Sequence, residues 1–294
     1  MLRVTGQVAA SFEGRQSYPS QVREASPAAL LPNLSDSPQM RTQMRTNRHT
    51  APLKIAKTFP MEDGQLAVYL MDCSPGIMAG DRYELEWRLG QASRVLVTNQ
   101  SYTKVHPCLS APASQCQTVE LEEDALLELM PEPVMLYTDA DFSTEQTVRL
   151  SPGSVYIQRE IVCPGRSERG ELFRYRRYET KLEVFYGDRL IYYSAQHWEP
   201  GRQPLAAPGM LGKYTHTGQL LVFSDRVTPE LLPMVRGVLA GWPQLLAGVS
   251  LTAQHGVTVQ VLGHRAWEIE RMLDEIWTKL RVEWLNLAVP LIRK

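Results

Sequence analysis

The chain has 294 residues, 44% hydrophobic and 21% charged, with a formal net charge of −1. This is ample for a buried core in one large domain or two ordinary ones, and the balanced charge supplies no basic field for nonspecific nucleic-acid binding. The N-terminus lacks the charged start and apolar core of a signal peptide. The best candidate for a membrane span, LLPMVRGVLAGWPQLLAGV, is broken by Pro233, Arg236 and Pro243. With four cysteines in so long a chain, a disulfide framework is not needed. The expectation is a soluble, cytoplasmic protein with no nucleic-acid or membrane partner.

Residues 1 to about 50 are rich in Ser, Pro, Gln, Arg and Thr without a sustained apolar period. The run SPAALLPNLSDSP, with Pro27, Pro32 and Pro38, and the basic RTQMRTNRHT read as a flexible or partner-docking arm. From residue 51 the pattern turns to strands and stays so through most of the chain. In RYELEWRL, Tyr83, Leu85, Trp87 and Leu89 alternate with Arg82, Glu84, Glu86 and Arg88, the period of a strand with one buried face. QLAVYLM, SRVLVTN, CQTVELEE, ALLELM, PVMLY, VYIQREIV and KLEVFY follow as further strands. Gly187-Asp188 between LEVFY and RLIYY has the composition of a type II′ hairpin turn.

Thr228-Pro229 opens a helix over about 229–246, weakened by Pro233. GVTVQVLG reads as one more strand, and Ile269, Met272, Leu273, Ile276, Leu280 and Trp284 recur at helical spacing over about 265–287. The sequence therefore predicts a mainly β body over 51–294, with a few helices near the C-terminus and no βαβ alternation.

Chemistry is sparse in this pattern. SPGIMAGDRYELEW, residues 74–87, is not a phosphate loop, because no Gly-Lys-Ser/Thr closes it and a strand follows the glycines. Gly76 and Gly80 shape a turn, and Asp81 either bonds its own backbone or faces a ligand. PGRSERGE places Gly165, Arg166, Gly170 and Glu171 in a charged turn where Arg166 and Glu171 can pair. MPEP sets Pro131 and Pro133 around Glu132, a stiff unit suited to an edge or wall. His106, Cys108 and Cys116 show no zinc spacing, and each cysteine reads as a buried free thiol. The other histidines show no ligand spacing, and GxSxG is absent. There is no firm ligand set for a metal and no catalytic centre. A β-solenoid carbohydrate-active enzyme with paired carboxylates is the alternative these residues leave open.

In order, PLKIAKTFP, YLMDCSPGIMAGDRYEL, VLVTNQSYTKVH, LLELMPEPVMLY, VYIQREIVCPGRSERGELF and IWTKLRVEW resemble six segments of the urease accessory protein UreD (UreH) family, from Pro52 to Trp284. Departures are local: Ser74-Pro75 and Ala79 stand where the family is richer in glycine, and Glu132 where it usually has glutamine. The resemblance implies a stacked-sheet, β-helix-like single body. It also implies a non-enzymatic scaffold-chaperone without an intrinsic cofactor. Its partners would be apo-urease, UreF and, through UreF, the GTPase UreG, with nickel in transit through an internal polar channel. On motif position, Asp81 and Glu171 are expected to line that channel, with Tyr102, Thr103 and Lys104 nearby.

Overall fold

A computed structural model describes residues 4–17, 39–61 and 63–290. Its strands are β1 (Gly6–Ser17), β2 (Gln39–Thr50), β3 (Leu53–Pro60), β4 (Leu66–Asp72), β5 (Arg82–Leu89), β6 (Arg94–Asn99), β7 (Thr103–Val105), β8 (Ala113–Leu121), β9 (Leu126–Leu129), β10 (Val134–Leu136), β11 (Asp141–Leu150), β12 (Val155–Cys163), β13 (Arg177–Tyr186), β14 (Arg189–Trp198), β15 (His216–Phe223), β16 (Leu246–Leu251) and β17 (Gly256–Gly263). Helices α1 (Leu231–Ala240) and α2 (Ala266–Lys279) lie near the C-terminus, and α2 runs on into a π-helical turn at Leu280–Trp284.

The strands form two sheets. The first runs β14-β13-β11-β8-β5-β1-β2, and the second β16-β17-β15-β12-β9-β6-β4-β3, with β7 and β10 appended. The middle of the body is a flattened solenoid: β5, β8 and β11 lie parallel in the first sheet, and β6, β9 and β12 parallel in the second. This is the stacked-sheet, β-helix-like body that the family resemblance implied, and the mainly β content that the strand pattern predicted.

The alternation in β5 sends Tyr83, Leu85, Trp87 and Leu89 inward, where they meet Val95, Val97, Leu127 and Leu129 of the second sheet in one core. Strand β12 is buried along almost its whole length, because the first sheet covers one face and α2 the other. The stripe Ile269, Met272, Leu273 and Ile276 fills that outer layer. Gly218 on β15 permits the close approach, since a Cβ there would lie 2.4 Å from Ile269.

Several boundaries differ from the sequence reading. Most of the described part of the expected arm is a strand pair, β1–β2, and β1 continues the first sheet beside β5. Val8, Ala10 and Phe12 alternate into the core, an apolar period too short to stand out among polar neighbours. The proline-rich run SPAALLPNLSDSP lies outside the described residues. The helix expected over about 229–246 ends at Ala240, before Gly241 and Pro243, and Leu246 already begins β16. The hairpin at Gly187-Asp188 is present, with Tyr186 opposite Arg189 and Gly187 at φ +56°.

Candidate functional site

The coils of the solenoid turn differently at their two ends. Connections from the first sheet to the second are short: 90–93, 122–125 and 151–154. Connections back are long, at 73–81, 100–112, 130–140 and 164–176, and each carries one of the signature segments. All four therefore gather at one end of the body. They stack on one another through Ile77 paired with Val105, β7 with β10, and β10 with β12.

Glycine is required for that stacking. Gly76 has φ +143°, and a Cβ there would sit 2.4 Å from the Lys104 carbonyl oxygen. The close approach lets Ile77 N–H donate to that carbonyl at 2.8 Å, and His106 N–H to the Ile77 carbonyl at 2.9 Å. Gly165, at φ +137°, meets the Glu171 carbonyl in the same way. Gly80 and Gly170 also take positive φ, and the Lys104 side chain is exposed.

Asp81 caps its own turn, its Oδ2 accepting from Met78 N–H at 2.7 Å. Glu171 pairs with Arg166, whose guanidinium lies 4.3 Å from the centre of the Tyr137 ring. The Arg166 side chain holds the Glu171 carboxyl below its usual range. Neither carboxylate is among the residues lining the space beneath these loops. The chemistry lies one layer deeper.

Inward positions change character along the strands. In the first sheet the register stacks Trp87, Val119, Val148 and Val184 on one rung, and Leu85, Gln117, Gln146 and Leu182 on the next. The next rung towards the loops is Tyr83, Gln115, Thr144 and Thr180, and beyond it Ala113, Phe142 and Tyr178 close the sheet. In the second sheet β12 offers Tyr156, then Gln158, then Glu160. The polar rungs of both sheets face each other around a cavity of about 130 Å³.

Tyr156, Gln158 and Gln146 bond one another there, and Tyr178 donates to Glu160 at 2.7 Å. Trp87 Nε1 and Gln117 Nε2 are buried on this lining without a protein partner. Buried donors need acceptors, and a cavity of this size admits water to serve them. Burial pushes the Tyr156 and Tyr178 hydroxyls up, so both stay protonated donors.

MPEP forms part of the wall, as its stiffness implied. Strand β12 pairs with β9 as far as Gln158 and with β10 again from Val162, and Pro131 and Pro133 lie between, bringing no N–H to a ladder. Carbonyls of the segment are used instead: Pro131 by Arg159 at 3.0 Å and Pro133 by Thr103 N–H at 3.0 Å. Glu132 N–H donates to Asn99 Oδ1 at 2.6 Å, and its side chain lines the cavity.

Two recesses adjoin the cavity through shared lining residues. Towards the glycine loop it shares Leu70, Leu85, Asn99, Thr103 and Gln115 with a recess of about 160 Å³ that also includes Asp72, Ser74, Gly76, Tyr102 and Lys104. Towards β14–β17 it shares Glu160 with a recess of about 490 Å³, where the first sheet ends and leaves Gln219, Gln260 and Leu262 of β15 and β17 at least partly exposed. Neither cysteine nor histidine lines the central cavity or the β14–β17 recess.

Among the described residues, no group of three or more His, Cys, Asp and Glu side chains could hold a metal ion. Cys108 and Cys163 are buried thiols as expected, but Cys73 and Cys116 are exposed. No helix of the described residues is long and apolar enough to cross a membrane. Sequence reasoning passed over Gln117, Gln158 and Glu160. Their signal was a polar residue at an inward position of CQTVELEE and VYIQREIV.

Comparison with known proteins points to one family. The family model described as UreD urease accessory protein matches residues 31–294. A urease accessory protein UreD of Acetivibrio thermocellus is 31% identical over 237 residues, covering 80% of this chain and 90% of that protein. One from Lysinibacillus sphaericus is 36% identical over 233 residues, covering 76% and 86%. One from Haloarcula marismortui is 29% identical over 249 residues, covering 83% of each.

Proposed function

The chain belongs to the UreD urease accessory protein family, and from that premise we propose that it is a non-enzymatic scaffold for urease maturation that lets nickel pass between its sheets. Its partners in this reading are apo-urease, UreF and, through UreF, the GTPase UreG. Nickel is cargo here, delivered to the nascent urease site and not retained.

One observation supports the reading: the central cavity, lined by Gln, Glu and Tyr side chains, shares lining residues with a recess on either side, and neither it nor the β14–β17 recess is lined by thiol or imidazole. Nickel binds imidazole and thiolate sites tightly, whereas carboxylates, amides and water hold it loosely and exchange. A route built of Gln115, Gln117, Gln146, Gln158, Glu132 and Glu160 suits passage better than storage. Asp81 and Glu171 then act as shapers of the loops that roof the route.

The test is urease nickel content and activity in cells with and without this chain, with co-purification of urease subunits and UreF. Full urease activation without the chain, at limiting nickel, would sink the proposal.

A further inference from the structure

The geometry points to Glu160 as the ligand by which a cation is passed from the central cavity to the outer recess, with Tyr178 and Gln219 as the residues that position it; this rests on the passage reading above. Glu160 is the residue the two spaces share, and the only carboxylate lining the recess among the described residues. Its two oxygens are held from opposite sides. Tyr178, on β13 of the first sheet and lining the central cavity, donates to Oε1 at 2.7 Å. Gln219, on β15 of the second sheet and lining the recess, donates to Oε2. Gln260 on β17 in turn donates to Gln219 Oε1 at 3.1 Å.

The consequence is a carboxylate with its charge-bearing atoms occupied by neutral donors. A cation arriving from the cavity competes with the Tyr178 hydroxyl for Oε1. One leaving towards the recess is exchanged for the Gln219 amide at Oε2. No proton transfer is needed, because both donors are neutral before and after. Tyr178 is fixed for this task by Phe142, stacked at 6.4 Å, and by Trp198 at 5.9 Å. Neutral donors hold a carboxylate firmly enough to orient it, yet more weakly than a divalent cation does.

The test uses the full chain expressed with the urease subunits and the other accessory proteins. Urease activation is read as a function of nickel concentration for the unaltered chain, Glu160→Gln, Tyr178→Phe and Thr144→Phe, the last an obstruction of the central cavity. Melting temperature and co-purification of partners are measured for each. Glu160→Gln should raise the nickel needed for half-maximal activation by about tenfold or more. Tyr178→Phe, which frees Oε1 and keeps the ring, should lower it by up to about tenfold.

A merely structural role would move melting temperature and leave the nickel dependence in place. If Thr144→Phe blocks activation while Glu160→Gln and Tyr178→Phe leave the nickel dependence unchanged, the transfer ligand is wrong and the passage stands. If Thr144→Phe folds, binds its partners and activates normally, the passage itself falls. Should Glu160→Gln lose its partners, the shift with Tyr178→Phe decides alone.

Discussion

Arg281 and Glu128, 153 positions apart in the chain, form an ion pair in which neither side chain is exposed to solvent. Arg281 stands in the π-helical turn after α2, and Glu128 on the outer face of β9. The Arg281 guanidinium also reaches Asp63 at 2.9 Å, Gln65 at 3.0 Å and the Ala288 carbonyl at 2.8 Å. Glu128 accepts from Trp277 Nε1 at 2.7 Å and Gln65 Nε2 at 2.6 Å. Together these bonds fix the C-terminal helix and the segment after it to the second sheet. Removing one member of a buried pair strands the other charge, so Arg281→Met should cost about 3–5 kcal/mol in denaturant unfolding. The double variant Arg281→Met/Glu128→Leu should be more stable than either single one. Additive losses would show that the pair is not coupled.

The glycine loop offers a second measurement. Gly76→Ala puts a methyl group 2.4 Å from the Lys104 carbonyl at a φ of +143°, so the loop must lift from β7. The expected loss is about 1–3 kcal/mol, with reduced urease activation. Gly187→Ala is the control: its φ is also positive, but nothing lies within 4 Å of the added carbon. It should cost about 1 kcal/mol and leave activation intact. Equal effects from the two would mean that the stacking of the signature loops does not matter.

Asp81→Asn and Glu171→Gln test where the route runs. Both residues bond within their own loops, and both replacements keep the size and an acceptor oxygen. Nickel-dependent activation should stay within about twofold of the unaltered chain, because bonds this close to solvent contribute little. A loss as large as that of Glu160→Gln would return these carboxylates to the cation path.

His216 sets an acid limit. It is 4% exposed, and burial together with nearby His264 pushes its pKa down to about 4. The unfolded chain takes up a proton near pH 6.5 and the folded one only near pH 4. The stabilising contribution is therefore complete above about pH 6.5 and is lost as pH falls towards 4, up to roughly 3 kcal/mol. His216→Gln should flatten this part of the stability–pH curve when unfolding is compared at pH 7 and pH 4.5. A variant curve parallel to the original would rule it out.

What the sequence determined by itself was the material and its order. Period-two alternation in RYELEWRL specified a one-sided strand, the Gly187-Asp188 turn specified its hairpin, and the stripe from Ile269 to Ile276 specified α2. These are local signals, set by where consecutive side chains point. The signature loops were legible as glycine- and proline-bearing turns, because φ and missing N–H groups are properties of single residues.

Tertiary structure alone decided what those loops enclose. Whether Gln117 or Glu160 faces solvent, core or cavity depends on which strand lies opposite, and that is fixed by the register between coils dozens of residues apart. Asp81 shows the same limit from the other side. Its sequence position allowed a ligand or a cap, and the turn closed by Met78 N–H chose the cap. The polar cavity arises where the polar rungs of two sheets meet, and no stretch of one strand contains it.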